Sequence, residues 1–153
     1  MTERKGTIMQ DIKYSKILVP TDGSDYSYFA GEHAVYLAKE LGSKVYILNV
    51  VNTDMAFRTG IHYSEGLQAL ERSGNEATSK IRDICRENNV ECEEIIMKGA
   101  PADTIIKVAE QLCVNCIVIG SIGMSAIERV LIGSVSEKVL RHAKCPVMLV
   151  RKR

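Results

Sequence analysis

Two glycine clusters carry the first chemical signal in this chain. Gly120-Ser121-Ile122-Gly123 is followed, after nine further residues, by Gly133-Ser134. The segment lies between an apolar run ending at Gly120 and a helical pattern opening near Ser134. Glycine lets a backbone approach an anion closely, and the N–H groups at a helix start carry partial positive charge. The arrangement is suited to cradle a phosphate. Ser134 also forms, with Glu137, the pattern of a capping box worth about 1 kcal/mol, which needs no ligand. Both uses can coexist, because a cap leaves other first-turn donors open.

Other reactive side chains are fewer. Asp22 follows an apolar run, where an acceptor-only carboxylate could take hydrogen bonds from ribose hydroxyls or simply close the turn Asp22-Gly23-Ser24. His33, His62 and His142 show no paired carboxylate or nucleophile at recognisable spacing, so they read as surface histidines, with His62 placed where it could fold over a ligand. No Gly-Lys-Ser/Thr phosphate loop occurs, and with it goes the lysine that P-loop hydrolases use on the β and γ phosphates. No catalytic residue is assigned, and no metal site. Cys113 and Cys116 have redox or metal-ligand spacing but stand where a helix ends, whereas thiol activation uses a helix start. They read as two small buried hydrophobes. The chain has five cysteines, an odd number that argues against a complete disulfide framework.

These residues need elements to bring them together. Lys16 to Pro20 is a continuous apolar run, as expected of a strand covered on both faces. A helix follows from Ser24 to Leu41, burying Ala30, Ala34, Leu37, Ala38 and Leu41, with Gly42 as its stop. Lys44 to Val51 is a second strand. Residues 52–66 show no period and read as a long surface loop or flap. A helix from about Glu65 to Asn89 carries Leu67, Leu70, Ala77, Ile81, Ile84 and Cys85 on one face, weakened in its middle by Gly74. Glu91 to Lys98 is a third strand. Gly99-Ala100-Pro101 opens a helix that buries Ile105, Ile106, Ala109 and Leu112. Cys116 to Gly120 is a fourth strand, Ser134 to His142 a helix, and Pro146 to Val150 a fifth strand.

Alternation of strand and helix predicts an α/β fold, an open doubly wound parallel sheet with helices on both faces. In such sheets ligands bind outside the carboxyl ends of the strands, where the strand order reverses. With the order 3-2-1-4-5 that point lies between the first and fourth strands. Thr21, Asp22 and Gly120 then meet at one crevice, and Val50, ending the second strand, offers apolar surface to a base.

Composition bounds the rest. The chain has 153 residues, 46% hydrophobic and 25% charged, enough for one domain with a substantial core. Residues 1–15 have little to bury and read as a flexible N-terminal extension to a single domain over residues 16–153. A formal net charge of +1 gives no broad basic field, so nucleic acid is not expected as a partner. The basic residues Arg141, His142, Lys144, Arg151, Lys152 and Arg153 read as solvated charges at a helix end and tail. No secretory signal and no bilayer-length apolar segment is evident, which leaves the cytoplasm as the expected location and no membrane as partner.

The glycine segment, Gly120-Ser121-Ile122-Gly123 with Gly133-Ser134-Val135-Ser136, together with Ile17-Leu-Val-Pro-Thr-Asp-Gly-Ser24 and Cys145-Pro-Val-Met-Leu-Val150, resembles the universal stress protein family over Lys16 to Arg151. The glycine spacing resembles that of its ATP-binding branch. This resemblance implies a five-stranded fold of the adenine nucleotide alpha hydrolase-like type, and a homodimer joined through Pro146 to Val150. It also implies ATP, with Mg²⁺, held by Pro20, Thr21, Asp22, Val50, Gly99, Ile119, Gly120, Gly123, Gly133, Ser134, Val135 and Ser136. Many relatives have histidine at the position of Ile122 and a basic residue at that of Met124, and Arg129 could supply the missing cation. The function implied is a nucleotide-responsive regulator in stress response that acts on an unknown protein partner. A slow ATP hydrolase or phosphoryl donor, and a nucleotide-free interaction protein, are the alternatives.

Overall fold

A computed structural model describes residues 12–58, 63–123 and 132–152. The expected alternation is present: β1 (Lys16–Pro20), α1 (Asp25–Leu41), β2 (Lys44–Val51), α2 (Thr53–Arg58), α3 (Tyr63–Glu87), β3 (Cys92–Lys98), α4 (Pro101–Leu112), β4 (Cys116–Gly120), α5 (Ser134–His142) and β5 (Val147–Val150). The strands form one parallel sheet in the order β3-β2-β1-β4-β5. β1 and β4 are buried almost throughout because helices cover both faces. One face packs Ile17, Val19, Val45, Ile47 and Val118 against Ala30, Ala34 and Ala38 of α1 and Ile81 of α3. The other packs Leu18, Leu48, Ile117 and Ile119 against Ile105 and Val108 of α4 and Val139 of α5.

Pairing is uneven at the centre. β1 runs in register with β2 as far as Pro20↔Leu48, but with β4 it pairs only at Ile17↔Cys116 and Leu18↔Ile117. The carboxyl ends of β1 and β4 therefore part, at the point where chain order reverses.

Several expectations need correction. Residues 52–66 are not all loop, since α2 occupies Thr53–Arg58 and α3 begins at Tyr63. The side chain of Asn52 starts α2 by accepting from the Asp54 N–H at 3.1 Å, and Ala56 is the buried residue of the helix. A helix this short has too few buried positions to show a period. Leu41 is 54% exposed because it ends α1 beyond the covered stripe. Ile106 and Leu112 of α4 are half-buried, and Val108 takes a fully covered place. Cys116 is buried as expected, but Cys113 is exposed: it adopts the left-handed conformation that ends α4, with φ 53°.

Gly74 does not interrupt α3. It is buried there, and a Cβ would meet the Asn49 side chain, with the amide carbon only 2.9 Å away. Asn49 in turn donates from Nδ2 to the Thr21 carbonyl at 2.9 Å. Glycine in α3 thus makes room for a polar strut beneath the end of β1. We expect Gly74→Ala to lower unfolding free energy by about 1–3 kcal/mol in urea titrations, as overpacked cores do. In an Asn49→Ala background the same change should cost little or turn favourable, since alanine is the better helix former by about 1 kcal/mol. Strictly additive losses in the double variant would refute this packing account.

Candidate functional site

The turn after β1 is a chain of short hydrogen bonds. The Thr21 N–H donates to the Leu48 carbonyl at 2.8 Å, and its own carbonyl receives Asn49 Nδ2. Ser27 Oγ donates to the Ser24 carbonyl at 2.8 Å, so its single proton is committed and the Thr21 hydroxyl is the donor in their 2.9 Å contact. The Gly23 N–H donates to Thr21 Oγ1 at 3.2 Å. Gly23 takes φ 83°, which a side chain would disfavour. Ser24 then caps α1 by accepting the Ser27 N–H. Asp22 is exposed, and its Oδ1 accepts the Ser24 N–H at 2.9 Å, so the turn-closing role is present.

The facing wall is built from β4 and α5. The Ser121 N–H donates to the Val150 carbonyl at 2.9 Å, and the Gly133 N–H to the Ser121 carbonyl at 2.6 Å. Ser136 is buried and its hydroxyl donates to the Gly120 carbonyl at 2.7 Å. These bonds hold the start of α5 against the end of β4. The capping box is not formed: Gly133 is the N-cap, with φ −75° and ψ 157°, and provides no side-chain acceptor. Ser134 is already helical, and Glu137 binds Arg141 at 2.9 Å. By helix geometry the N–H groups of Ser134, Val135 and Ser136 have no intrahelical acceptor.

The two walls meet at the glycines. A Cβ on Gly123 would lie 2.6 Å from Asp22 Oδ2, which places the backbone of the glycine segment against the carboxylate that follows β1. A Cβ on Gly120 would come within 2.9 Å of the Tyr26 carbonyl in α1. At Gly133 the same construction finds Ser121 O and the Gly123 nitrogen at 3.5 and 3.7 Å, ordinary contact distances, so the protein itself tolerates a side chain there.

Pro20, Thr21, Asp22, Gly120, Gly123, Gly133 and Ser136 are thus tied to one crevice by contacts or register. Val50 and Ile119 share the α4/α5 face with Val135, Val50 and Val135 half-buried and Ile119 buried. Gly99, at φ 147°, donates its N–H to the Val51 carbonyl at 3.1 Å, beside the end of β2. Met124, Arg129 and His62 lie outside the described residues. His33 and His142 are exposed on α1 and α5. Arg141, Lys144 and Lys152 of the basic C-terminal set have carboxylate partners in Glu137, Glu110 and Asp25.

Sequence reasoning missed Asn49, Ser27 and Met97. Asn49 could have been flagged as the polar interruption of an apolar strand. Met97 is registered with Val50 and is half-buried beside it, extending the apolar shelf at the carboxyl edge.

The profile of the universal stress protein family matches residues 13–151. The chain belongs to the universal stress protein family. It is 38% identical to a universal stress protein of Methanocaldococcus jannaschii over 141 residues, covering 91% of this chain and 83% of that one. The structure of universal stress protein UspA from Lactobacillus plantarum superposes with a TM-score of 0.80 at 29% identity, over 92% of this chain and all (100%) of the other. A universal stress protein in complex with cAMP superposes with a TM-score of 0.66 at 27% identity, over 92% and 98% of the two chains.

The Ser136 hydroxyl is the tie that the geometry makes most directly testable. Ser136→Ala should cost about 1 kcal/mol of stability, the worth of one buried hydrogen bond, in thermal or urea unfolding. A neutral result would mean that Gly120 and α5 are held together by other means.

Proposed function

We propose that this universal stress protein binds an adenine nucleotide, ATP with Mg²⁺, and acts as a nucleotide-responsive regulatory homodimer in stress response. The observation that carries this reading is the start of α5: a first turn with no N-cap side chain, set against the Gly123 backbone at the point where β1 and β4 part. Peptide N–H groups at such a site favour phosphate oxygens. The solved relative in complex with cAMP supports an adenine nucleotide as the ligand class.

In this reading Gly120, Gly123, Gly133, Ser134, Val135 and Ser136 hold the phosphates. Asp22 keeps Oδ1 on the Ser24 N–H and turns toward ribose hydroxyls, with Pro20 and Thr21 fixing its backbone. Val50, Gly99 and Ile119 line the base. Among the described residues no three His, Cys, Asp or Glu side chains cluster as metal ligands, so Mg²⁺ would arrive with the phosphates. Among them, too, no helix is long and apolar enough to cross a membrane. A ligand shifts such a protein only through different affinity for two conformations, and in this reading a protein partner tells those conformations apart.

Gly133→Val tests the cradle. Its backbone φ and open surroundings let the fold survive, while the branched side chain covers the Gly123 nitrogen. We expect ATP affinity measured by calorimetry to fall at least about tenfold, a loss of about 1.4 kcal/mol, with the circular dichroism spectrum unchanged. Unaltered affinity would exclude this wall as the phosphate site. Steady release of ADP by the wild-type chain would move the function to hydrolysis, and absence of bound nucleotide together with no ATP-induced thermal shift would move it to a nucleotide-free interaction role.

The homodimer part rests on β5, an edge strand in which Met148 is 39% exposed. Met148→Lys should convert the dimer to monomer in sedimentation equilibrium, because a lysine on the pairing edge opposes a second strand. A persistent dimer would place the contact elsewhere.

A further inference from the structure

All five cysteines are free thiols, and one pair shares a face of the sheet. Cys85 is fully buried near the end of α3, and Cys92 opens β3 half-buried. Cys92 is registered with Val45, and side chains in register on neighbouring parallel strands project to the same face. That face is the one covered by α1 and α3, and Cys92 packs there against the cluster that contains Cys85. Cys116 belongs to the same cluster, but Cys145 packs on the opposite face and Cys113 points to solvent, its thiol donating to the Glu110 carbonyl.

The connection between Cys85 and Cys92 holds the two ends together. The Val90 N–H donates to the Cys85 carbonyl at 2.9 Å and the Asn88 N–H to the same oxygen at 3.2 Å. Asn89 takes the left-handed conformation, φ 55°, that reverses the chain. The last turns of α3 are therefore fixed beside the start of β3. Burial first, and then the neighbouring Cys92 sulfur, push the Cys85 thiol up to about 12, so Cys85 stays protonated and is a poor first nucleophile.

We propose that Cys85 and Cys92 form a dithiol site, oxidised to an intrachain disulfide by a low-molecular-weight disulfide, which staples the end of α3 to the start of β3. Cys92, the more accessible sulfur, gives its proton to solvent and attacks one sulfur of the small disulfide. The S–S bond breaks, a mixed disulfide forms on Cys92, and the first small thiolate leaves and takes a proton. Cys85 then loses its proton to solvent, its sulfur attacks the Cys92 sulfur, and the second small thiolate leaves and is protonated. Two electrons and two protons pass from the protein dithiol to the small disulfide, which becomes two thiols. Proximity offsets the poor ionisation of Cys85 in the second step, as it does in other intramolecular attacks. The proposal is independent of nucleotide binding.

Oxidised glutathione is the probe. The reduced, native, full-length chain is incubated with it, remaining thiols are capped with N-ethylmaleimide, and the protein is digested with trypsin without reduction. Arg86 lies between the two cysteines, so a Cys85–Cys92 link appears as two joined peptides lighter by two hydrogen atoms than their sum. We expect that species in the wild-type chain and in Cys113→Ser, and its loss in Cys92→Ser, where Cys85 is recovered capped by N-ethylmaleimide and without glutathione. Cys85→Ala should trap Cys92 as the glutathione mixed disulfide. Recovery of Cys85 and Cys92 both capped by N-ethylmaleimide overturns the proposal, as does a link from Cys92 to Cys113, Cys116 or Cys145. If Cys85→Ala fails to fold, the wild-type map and Cys92→Ser still decide the matter.

Discussion

The parting of β1 from β4 is the constraint around which the rest of this structure is arranged. Once those strands stop pairing beyond Leu18 and Ile117, backbone groups at their carboxyl ends need other partners, because buried peptide groups left unpaired are costly. Each strand end turns to its outer neighbour. Thr21 bonds through its N–H to Leu48 and through its carbonyl to Asn49, both on β2, while Ser121 bonds to Val150 on β5 and Gly120 receives the Ser136 hydroxyl from α5. The crevice is what remains between two strand ends that are each satisfied on the outside.

That arrangement explains where small residues sit. Asn49 can reach the Thr21 carbonyl only if α3 carries no side chain at Gly74, and Gly123 can approach Asp22 only without a Cβ. Both are close approaches between elements distant in the chain. Gly133 differs, since its surroundings would admit a Cβ and its φ is ordinary. A glycine that neither the local backbone nor its neighbours require directs attention to something outside the chain that must come near, and the proposed phosphate supplies that reason.

The fold was legible because each strand of the sheet is either a continuous apolar run or is flanked by turn residues, and strong periodicity marks the longer helices. β4 and α5 have the predicted limits. What could not be read was set by tertiary contact or by brevity. α2 buries too little to show a period, and the capping box at Ser134 lost to Gly133 because backbone geometry, not side-chain identity, decides which residue is the cap. Gly74 looked like a weakness in α3 because the residue that requires it, Asn49, lies on a different element. At the candidate site, the residue types and their spacing brought out the two glycine clusters and Asp22. The struts that fix them were invisible, since a hydrogen bond such as Ser136 to Gly120 leaves no periodic trace.

The two edges of the sheet are unlike, and this links the crevice to assembly. β3 is guarded by exposed Glu93 and Glu94, with Lys44 bridging Glu91 and Glu93, the kind of charge that discourages edge pairing. β5 carries Val147, Met148 and Leu149 and no charged side chain. Its last residue, Val150, accepts the N–H of Ser121, which follows directly on the end of β4. A ligand that moved the backbone at Gly120 and Ser121 would therefore act one hydrogen bond away from the apolar edge. Coupling between the proposed nucleotide site and the proposed dimer edge needs no long pathway, because the same short segment of backbone is a wall of one and a support of the other.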